Sequence, residues 1–234
     1  MYNHGMPSNS YEIRICDSCG LRYPLTDGHS FGTRCPVCVG KTRVVLNRQL
    51  ILEPGPDHSP GALPRHDKRG LIKNAKPDAV YGERQGEAFA VLLDNIRSAW
   101  NVGSILRSAD GFDLDHAYLC GITPTPENES VTKTSLGAED MVPWSYHKDA
   151  VKLVKGLKKE GWKVWALEED ERAVPLNNTS IKNTRGILIV GSEVTGVDPG
   201  LLDLCDAIFY IPMRGGKKSF NVATAFGIAA YALR

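Results

Sequence analysis

Four of the six cysteines in this 234-residue chain stand as two pairs, Cys16-x2-Cys19 and Cys35-x2-Cys38, with 15 residues between them. That spacing matches a zinc ribbon, in which four thiolates close a tetrahedral site and leave no position open for catalysis. A disulfide pair and a redox Cys-x2-Cys motif are the competing readings. Both fit poorly, because the opening MYNHGMPSNSYEIR has neither the basic start nor the apolar core of a secretory signal, and two such pairs fall within 23 residues. A ribbon of residues 11–46 is too small to bury a core unaided, so metal binding would supply its folding free energy, on the order of 10 kcal/mol. Cys16, Cys19, Cys35 and Cys38 are therefore the expected ligands of a structural zinc. Cys120 and Cys205, in YLCG and LLDLCDA, read as small core residues.

After the ribbon, LEPGPDHSPGALPRHDKRG sets prolines at 54, 56, 60 and 64 with no hydrophobic period, so residues 47–86 are expected to form a linker. Arg65, Lys68, Arg69, Lys73 and Lys76 face only Asp67 there, as a phosphate-binding stretch or a solvated linker would. Residues 1–86 carry twelve Lys+Arg against eight Asp+Glu, and residues 87–234 sixteen against nineteen. A basic appendage on an acidic body suits a polyanion partner, although ordinary surface scatter gives the same numbers. The longest apolar, charge-free stretch, Ser219 to Leu233, has 15 residues, fewer than the roughly 20 of a spanning helix, so no membrane partner is expected. The expected compartment is the cytoplasm.

From residue 87 onward the pattern is that of an α/β domain with a largely parallel, buried sheet. Strands AFAVLLD, HAYLCG, WKVWALE, GILIVG and AIFYIP alternate with helices over 102–111, near 131–137, over 149–160, from Pro199 and over 221–233. Neither G-x-G-x-x-G nor G-x-x-x-x-G-K-[ST] occurs, so the usual dinucleotide and P-loop cradles are missing. Three segments follow the carboxyl ends of predicted strands, the edge where open α/β sheets bind ligands. In LDNIRSAWNVGSILRSADGF, Asn101 is placed to cap a helix whose Val102, Ile105, Leu106 and Ala109 make the core stripe, leaving Gly103 and Arg107 on the other side. In ILIVGSEVTGVDPGLL, an apolar strand ends in Gly191-Ser192-Glu193, and Asp198-Pro199 starts the next helix. In FYIPMRGGKKSFNVATAFGIAAYALR, a Gly-rich basic loop leads into a final helix apolar on nearly every side.

Taken in order, these segments resemble the three signature motifs of the SpoU (TrmH-like) family of RNA ribose 2′-O-methyltransferases, in the SPOUT superfamily. The first matches as Asn101-x-Gly103-x3-Arg107 and the second as Gly191-Ser192-Glu193 with Gly196. The third matches as Ile211-Pro212-Met213 followed by Ser219-Phe220-Asn221. Phe220 departs from the family's usual leucine, and Arg97-Ser98-Ala99-Trp100 lacks the Asn-Pro or Asp-Pro common before the first motif. The zinc ribbon is no part of the family's shared core.

The resemblance implies a C-terminal trefoil knot, S-adenosylmethionine held in it, a homodimer, and a ribose 2′-hydroxyl of structured RNA, tRNA or rRNA, as methyl acceptor. It also implies the site residues. Arg107, Asn101, Glu193, Ser219 and Asn221 would serve catalysis, with Gly191, Ile211, Met213 and Phe220 holding the cofactor mostly through backbone groups. Because arginine stays protonated, Arg107 is expected to stabilise a developing alkoxide or clamp a phosphate. Glu193 is expected to fix Arg107 or Asn101. Lys217 and Lys218 are expected at RNA phosphates or as a solvated loop, whereas Lys152, Lys155, Lys158 and Lys159, like the run Glu168 to Glu171, read as solvated faces. A noncatalytic RNA-binding scaffold and a zinc-ribbon DNA-binding module are the rival functions.

Overall fold

The computed structural model describes residues 10–26, 32–49, 88–176, 184–217 and 219–234; nearly all of the expected linker, and Lys218, lie outside them. Two compact units divide the chain, Met1–Leu71 and Ile72–Arg234.

In the first unit, β1 (Ser10–Cys16) is the centre of an antiparallel sheet, flanked by β2 (Arg22–Thr26) and β3 (Thr42–Gln49). Strand β3 runs past the expected ribbon boundary at residue 46. Each cysteine pair sits on a tight turn, one after β1 and one before β3. Tyr23 is fully buried, with its hydroxyl donating to the Arg34 carbonyl, and ties the second knuckle to β2.

The second unit is built on β4 (Ala88–Asp94), whose seven residues are all buried. Successive side chains of a strand point to opposite faces, so β4 feeds two cores at once. Phe89, Val91 and Leu93 join one core with Val102, Ile105, Leu106 and Ala109 of α1 (Ala99–Gly111) and with Phe226, Ala229, Ala230 and Leu233 of α6 (Val222–Leu233). Ala88, Ala90 and Leu92 join the other with Val154 and Leu157 of α4 (Ala150–Lys159) and Leu201 and Leu202 of α5 (Pro199–Leu202). The core stripe expected on α1 is the one observed.

The remaining strands are β5 (His116–Cys120), β6 (Trp144–His147), β7 (Lys163–Leu167), β8 (Val174–Pro175), β9 (Arg185–Gly191) and β10 (Ala207–Tyr210). They form a seven-stranded sheet in the order β6-β5-β4-β9-β7-β10-β8, and every pairing in it is parallel. All carboxyl ends therefore lie along one edge.

Several expectations need correction. Helix α1 starts at Ala99, not at residue 102, because Ser98 caps it, accepting from the Asn101 N–H at 3.3 Å. The single helix expected near 131–137 is two, α2 (Glu129–Ser135) and α3 (Ala138–Met141), broken where Leu136 adopts a left-handed φ of 53°. Gly103 does not lie on the side away from packing. It is buried against α2, and a Cβ there would lie 2.4 Å from the Val131 carbonyl oxygen and 2.8 Å from the Ser135 nitrogen. Strands β6 and β8 were not foreseen, being too short to show a hydrophobic period.

Candidate active site and metal centre

Three strand ends meet where the motifs converge. Asp94, Cys120 and Gly191 close β4, β5 and β9 in paired register. Asn95 turns the chain out of β4 with φ 56°. Its side chain accepts from the Ile122 N–H at 3.1 Å and donates to Asp94 at 2.8 Å. Thr123 adds a buried hydroxyl that accepts from the Ile96 N–H and donates to the Leu93 carbonyl, both at 3.0 Å. The start of α1 is thereby fixed to the sheet edge.

Beyond β9 the chain folds back at once. Ser192 and Gly196 exchange two backbone hydrogen bonds of 3.0 and 2.9 Å, setting Glu193 in the tip of a small hairpin. The bend requires glycine at Gly191, where a Cβ would stand 2.2 Å from the backbone of Gly196 and Val197. Two carboxylates hold the hairpin down: Glu168 accepts from the Val197 N–H at 2.7 Å, and Asp94 from the Asp198 N–H at 2.9 Å. Burial pushes the Glu168 carboxyl above its usual range, although the N–H groups of Val197 and Glu169 pull it down. Glu168 is thus a clasp rather than part of a solvated run.

The hairpin presents Glu193 to the first turn of α1. Its carboxylate accepts from the Arg97 N–H (2.8 Å), the Ser98 N–H (3.2 Å) and the Asn101 side-chain amide (2.8 Å), which suits the positive end of a helix dipole. Asn101 in turn accepts from the Asn221 side-chain amide at 3.0 Å. Asn221 caps α6 through its other atom, accepting from the N–H groups of Ala223 and Thr224. One hydrogen-bonded line, Asn221 to Asn101 to Glu193, thus joins all three motifs across sequence separations of 120 and 92 residues.

Arg107 stands apart from that line. It is exposed on α1, seven residues and two turns beyond the exposed Trp100 on the same face, and makes no hydrogen bond or ion pair with the described residues. Glu193 therefore fixes Asn101 and the backbone of residues 97 and 98, not Arg107. Ser219 is exposed two residues before Asn221, and Lys217 is exposed in the same loop.

The sequence of residues 88–231 matches the family described as SpoU rRNA methylase. The chain belongs to that family. Among curated relatives, the 23S rRNA (guanosine-2′-O-)-methyltransferase RlmB of Xanthomonas campestris pv. campestris is 29% identical over 171 residues, covering 73% of this chain and 68% of that protein. RlmB of Coxiella burnetii is 33% identical over 158 residues, 64% of this chain and 59% of the relative. The chain thus spans roughly three fifths to two thirds of their length. An AdoMet-bound rRNA methyltransferase from Sinorhizobium meliloti superposes with a TM-score of 0.60 at 25% identity, over 63% of this chain and 56% of that one. The SpoU domain here is accordingly a SPOUT-type α/β fold.

Two features of the edge fit S-adenosylmethionine. Ile211 and Met213 are half-buried and Phe220 is 40% exposed, apolar surface of the kind an adenine covers. Gly215 and Gly216 have open space where a Cβ would stand, so backbone there can approach a ligand closely. These residues, with Gly191, would hold the cofactor.

In the first unit the sulfurs of Cys16, Cys19, Cys35 and Cys38 all lie within 4.8 Å of one another. Sulfurs about 2.3 Å from a tetrahedral zinc are about 3.8 Å apart. The observed pairs, Cys16 to Cys38 at 3.4 Å and Cys19 to Cys35 at 3.7 Å, are close to that geometry. Burial raises the Cys16 thiol, but N–H groups of Cys19 and Ser18 and the neighbouring cysteines outweigh it and bring it to about 7, while burial pushes Cys19 up to about 12 and raises Cys35, so the four thiols share protons unequally. Cys120 is a buried core residue and Cys205 is half-buried against the same core, and burial pushes both thiols up.

Sequence reasoning missed Ser98, Asp94, Asn95, Thr123 and Glu168. The signal for Glu168 was available, since a carboxylate directly after an apolar strand needs partners wherever it occurs. That for Ser98 was the serine itself, just ahead of the periodic residues.

Proposed function

We propose that this protein is an S-adenosylmethionine-dependent methyltransferase that modifies a ribose 2′-hydroxyl in structured RNA, tRNA or rRNA, with a structural zinc in its N-terminal ribbon. The observation that carries this reading is the line of hydrogen bonds from Asn221 through Asn101 to Glu193, which assembles the three motifs at one edge of the sheet.

When bound, S-adenosylmethionine supplies an electrophilic methyl group on its sulfonium. The chain's own residues do the rest. Asn101 and Asn221 fix the floor of the site, and Ser219 offers a hydroxyl to position the nucleotide. Arg107, unpaired among the described residues, is available to the negative charge that develops on the ribose oxygen as its proton passes to water, and to the adjoining phosphate. Only RNA carries the 2′-hydroxyl. Threading of the C-terminal segment into a trefoil knot, a homodimer joined through the second unit, and domain limits of 11–46, 47–86 and 87–234 belong to the same proposal. We take the cytoplasm as its compartment, where thiolates stay reduced for zinc. No helix among the described residues is long and apolar enough to cross a membrane.

The test is transfer of tritium from methyl-labelled S-adenosylmethionine to total RNA of a strain lacking the protein, followed by nuclease digestion to nucleosides. Label in a 2′-O-methylnucleoside is expected. Cofactor binding with no transfer to any RNA would establish the scaffold reading instead.

A further inference from the structure

The two knuckles of the first unit share one backbone turn. Gly20 and Val39 each donate to the carbonyl of the first cysteine of their pair, Cys16 at 3.0 Å and Cys35 at 2.9 Å. The N–H groups of Cys16 and Cys35 donate in turn to Leu21 and Gly40 at 2.9 and 3.0 Å. The turn forces the residue after the second cysteine into the left-handed region, φ 74° at Gly20 and 60° at Val39. Glycine adopts that conformation freely, whereas a β-branched valine is a strained outlier. Packing does not call for valine there, because Val39 is 63% exposed. Strain kept at an exposed position points to a use for the side chain.

Its surroundings say which use. Val37, Val44 and Val45 are also exposed. Ile13 pairs with Leu46 and Arg14 with Val44, so Val45 is the extra residue of a β-bulge, a device that re-aims side chains. Arg34, Lys41, Arg43 and Arg48 are exposed in the same segment as these valines, and residues 32–49 contain no Asp or Glu. Arg34 and Lys41 face each other across a bridge at the base of the knuckle. Arg43 has Asp17 at 3.3 Å, an exposed pair of little strength. Exposed valines and cations in one segment that itself carries no acid, with Asp17 of the turn after β1 beside Arg43, complement a polyanion that also offers flat apolar faces, namely RNA with unstacked bases.

We propose that the second knuckle and β3, from Arg34 to Arg48, form an RNA-binding surface. The four basic side chains take backbone phosphates, and Val39 with Val37 packs on an unpaired base. This rests on the reading of the protein as an RNA methyltransferase and deepens it by naming where RNA is held outside the methyl-transfer site.

The experiment uses the zinc-loaded full chain and a fluorescein-labelled RNA hairpin with an unpaired loop, followed by anisotropy across a salt series, with zinc content measured for every variant. Replacing Arg34, Lys41, Arg43 and Arg48 by Gln together should reduce the slope of log K against log salt by about 3, since each phosphate contact contributes about 0.7 to 0.9. Val39→Gly should weaken binding about fivefold, yet release zinc to a chelator no faster than wild type, because glycine relieves the turn. A merely structural Val39 would leave affinity unchanged. Wild-type affinity and slope in both variants would overturn the surface, and methyl transfer by the same samples would show that the enzymatic reading survives it. A wild-type chain that neither binds the hairpin nor methylates any RNA would overturn both.

Discussion

A neutral amide suits position 101 because Asn101 must accept from Asn221 and donate to Glu193 at the same time, which neither a carboxylate nor an ammonium can do. Arg107 has the opposite character, a fixed charge with nothing among the described residues to neutralise it. If it acts on the reacting oxygen, Arg107→Ala should lower methyl transfer by about two orders of magnitude and leave calorimetric S-adenosylmethionine affinity nearly intact. Arg107→Lys should rescue little, since an ammonium lacks the planar fork that can meet oxygen and phosphate together. Equal transfer by all three proteins would refute the role. A second residue-scale expectation concerns His116, which is 5% exposed and bonded to Ser145 at 2.8 Å. Burial, with a smaller push from His147, lowers its pKa from 6.5 to about 4. A histidine whose folded pKa lies below its unfolded one resists protonation, so stability is lost as pH falls from about 6.5 toward 4, by up to about 3 kcal/mol. Glu168, raised by burial, has the opposite sign: the folded state gains as it protonates. Denaturant unfolding at stepped pH should show His116→Gln with a shallower acid loss and Glu168→Gln with a steeper one.

At the scale of elements, the approach of α1 to α2 depends on one missing methyl group. A Cβ at Gly103 would lie 1.9 Å from the Thr134 hydroxyl as well as against α2 backbone, which cannot rotate away. Overpacking of that kind costs about 1–3 kcal/mol, and with backbone involved the upper end applies. Helix propensity returns about 1 kcal/mol. Gly103→Ala should therefore destabilise the protein by about 2 kcal/mol in urea unfolding, and an unchanged midpoint would show that α2 is free to shift. The ribbon depends on metal instead. Purified protein should carry about one zinc per chain, and chelation should abolish order in the first unit while leaving the thermal transition of the second in place. Zinc-free protein whose order survives Cys35→Ser would contradict this. What was readable beforehand follows the same division. Strands buried on both faces announce themselves as apolar runs, the Asp198-Pro199 start of α5 is a local signal, and cysteine spacing reports a metal centre directly. The start of α1 was misread because Asn101 has the chemistry of a cap but spends it on Glu193 and Asn221, partners supplied by distant chain. Gly103 was misplaced because its neighbour is another helix, and β6 and β8 are too short to carry a period.

For the molecule as a whole, α6 poses a problem that one chain does not solve. Its inner stripe, Phe226, Ala229, Ala230 and Leu233, is buried in the core of the second unit. Its outer stripe, Thr224, Ile228, Tyr231 and Ala232, follows a helical period and is exposed, with Ile228 at 38% and Tyr231 at 77%. On α1, which α6 packs against, Trp100 is 63% exposed. A helix apolar on nearly every side belongs in an interior, and a second copy of the chain can provide one. The three-motif line ends at the N-terminus of this same helix, so an interface there would lie beside the methyl-transfer site and steady Asn221. Light scattering at micromolar concentration should therefore give a homodimer, and a chain lacking residues 1–86 should give one too. Replacing Ile228 and Tyr231 together by Glu would set two charges against apolar surface that has no partner for them. That variant should be monomeric, keep its zinc, and lose methyl transfer along with the dimer. A monomeric wild type would refute the interface, and a double-Glu variant that still dimerises would move it off α6.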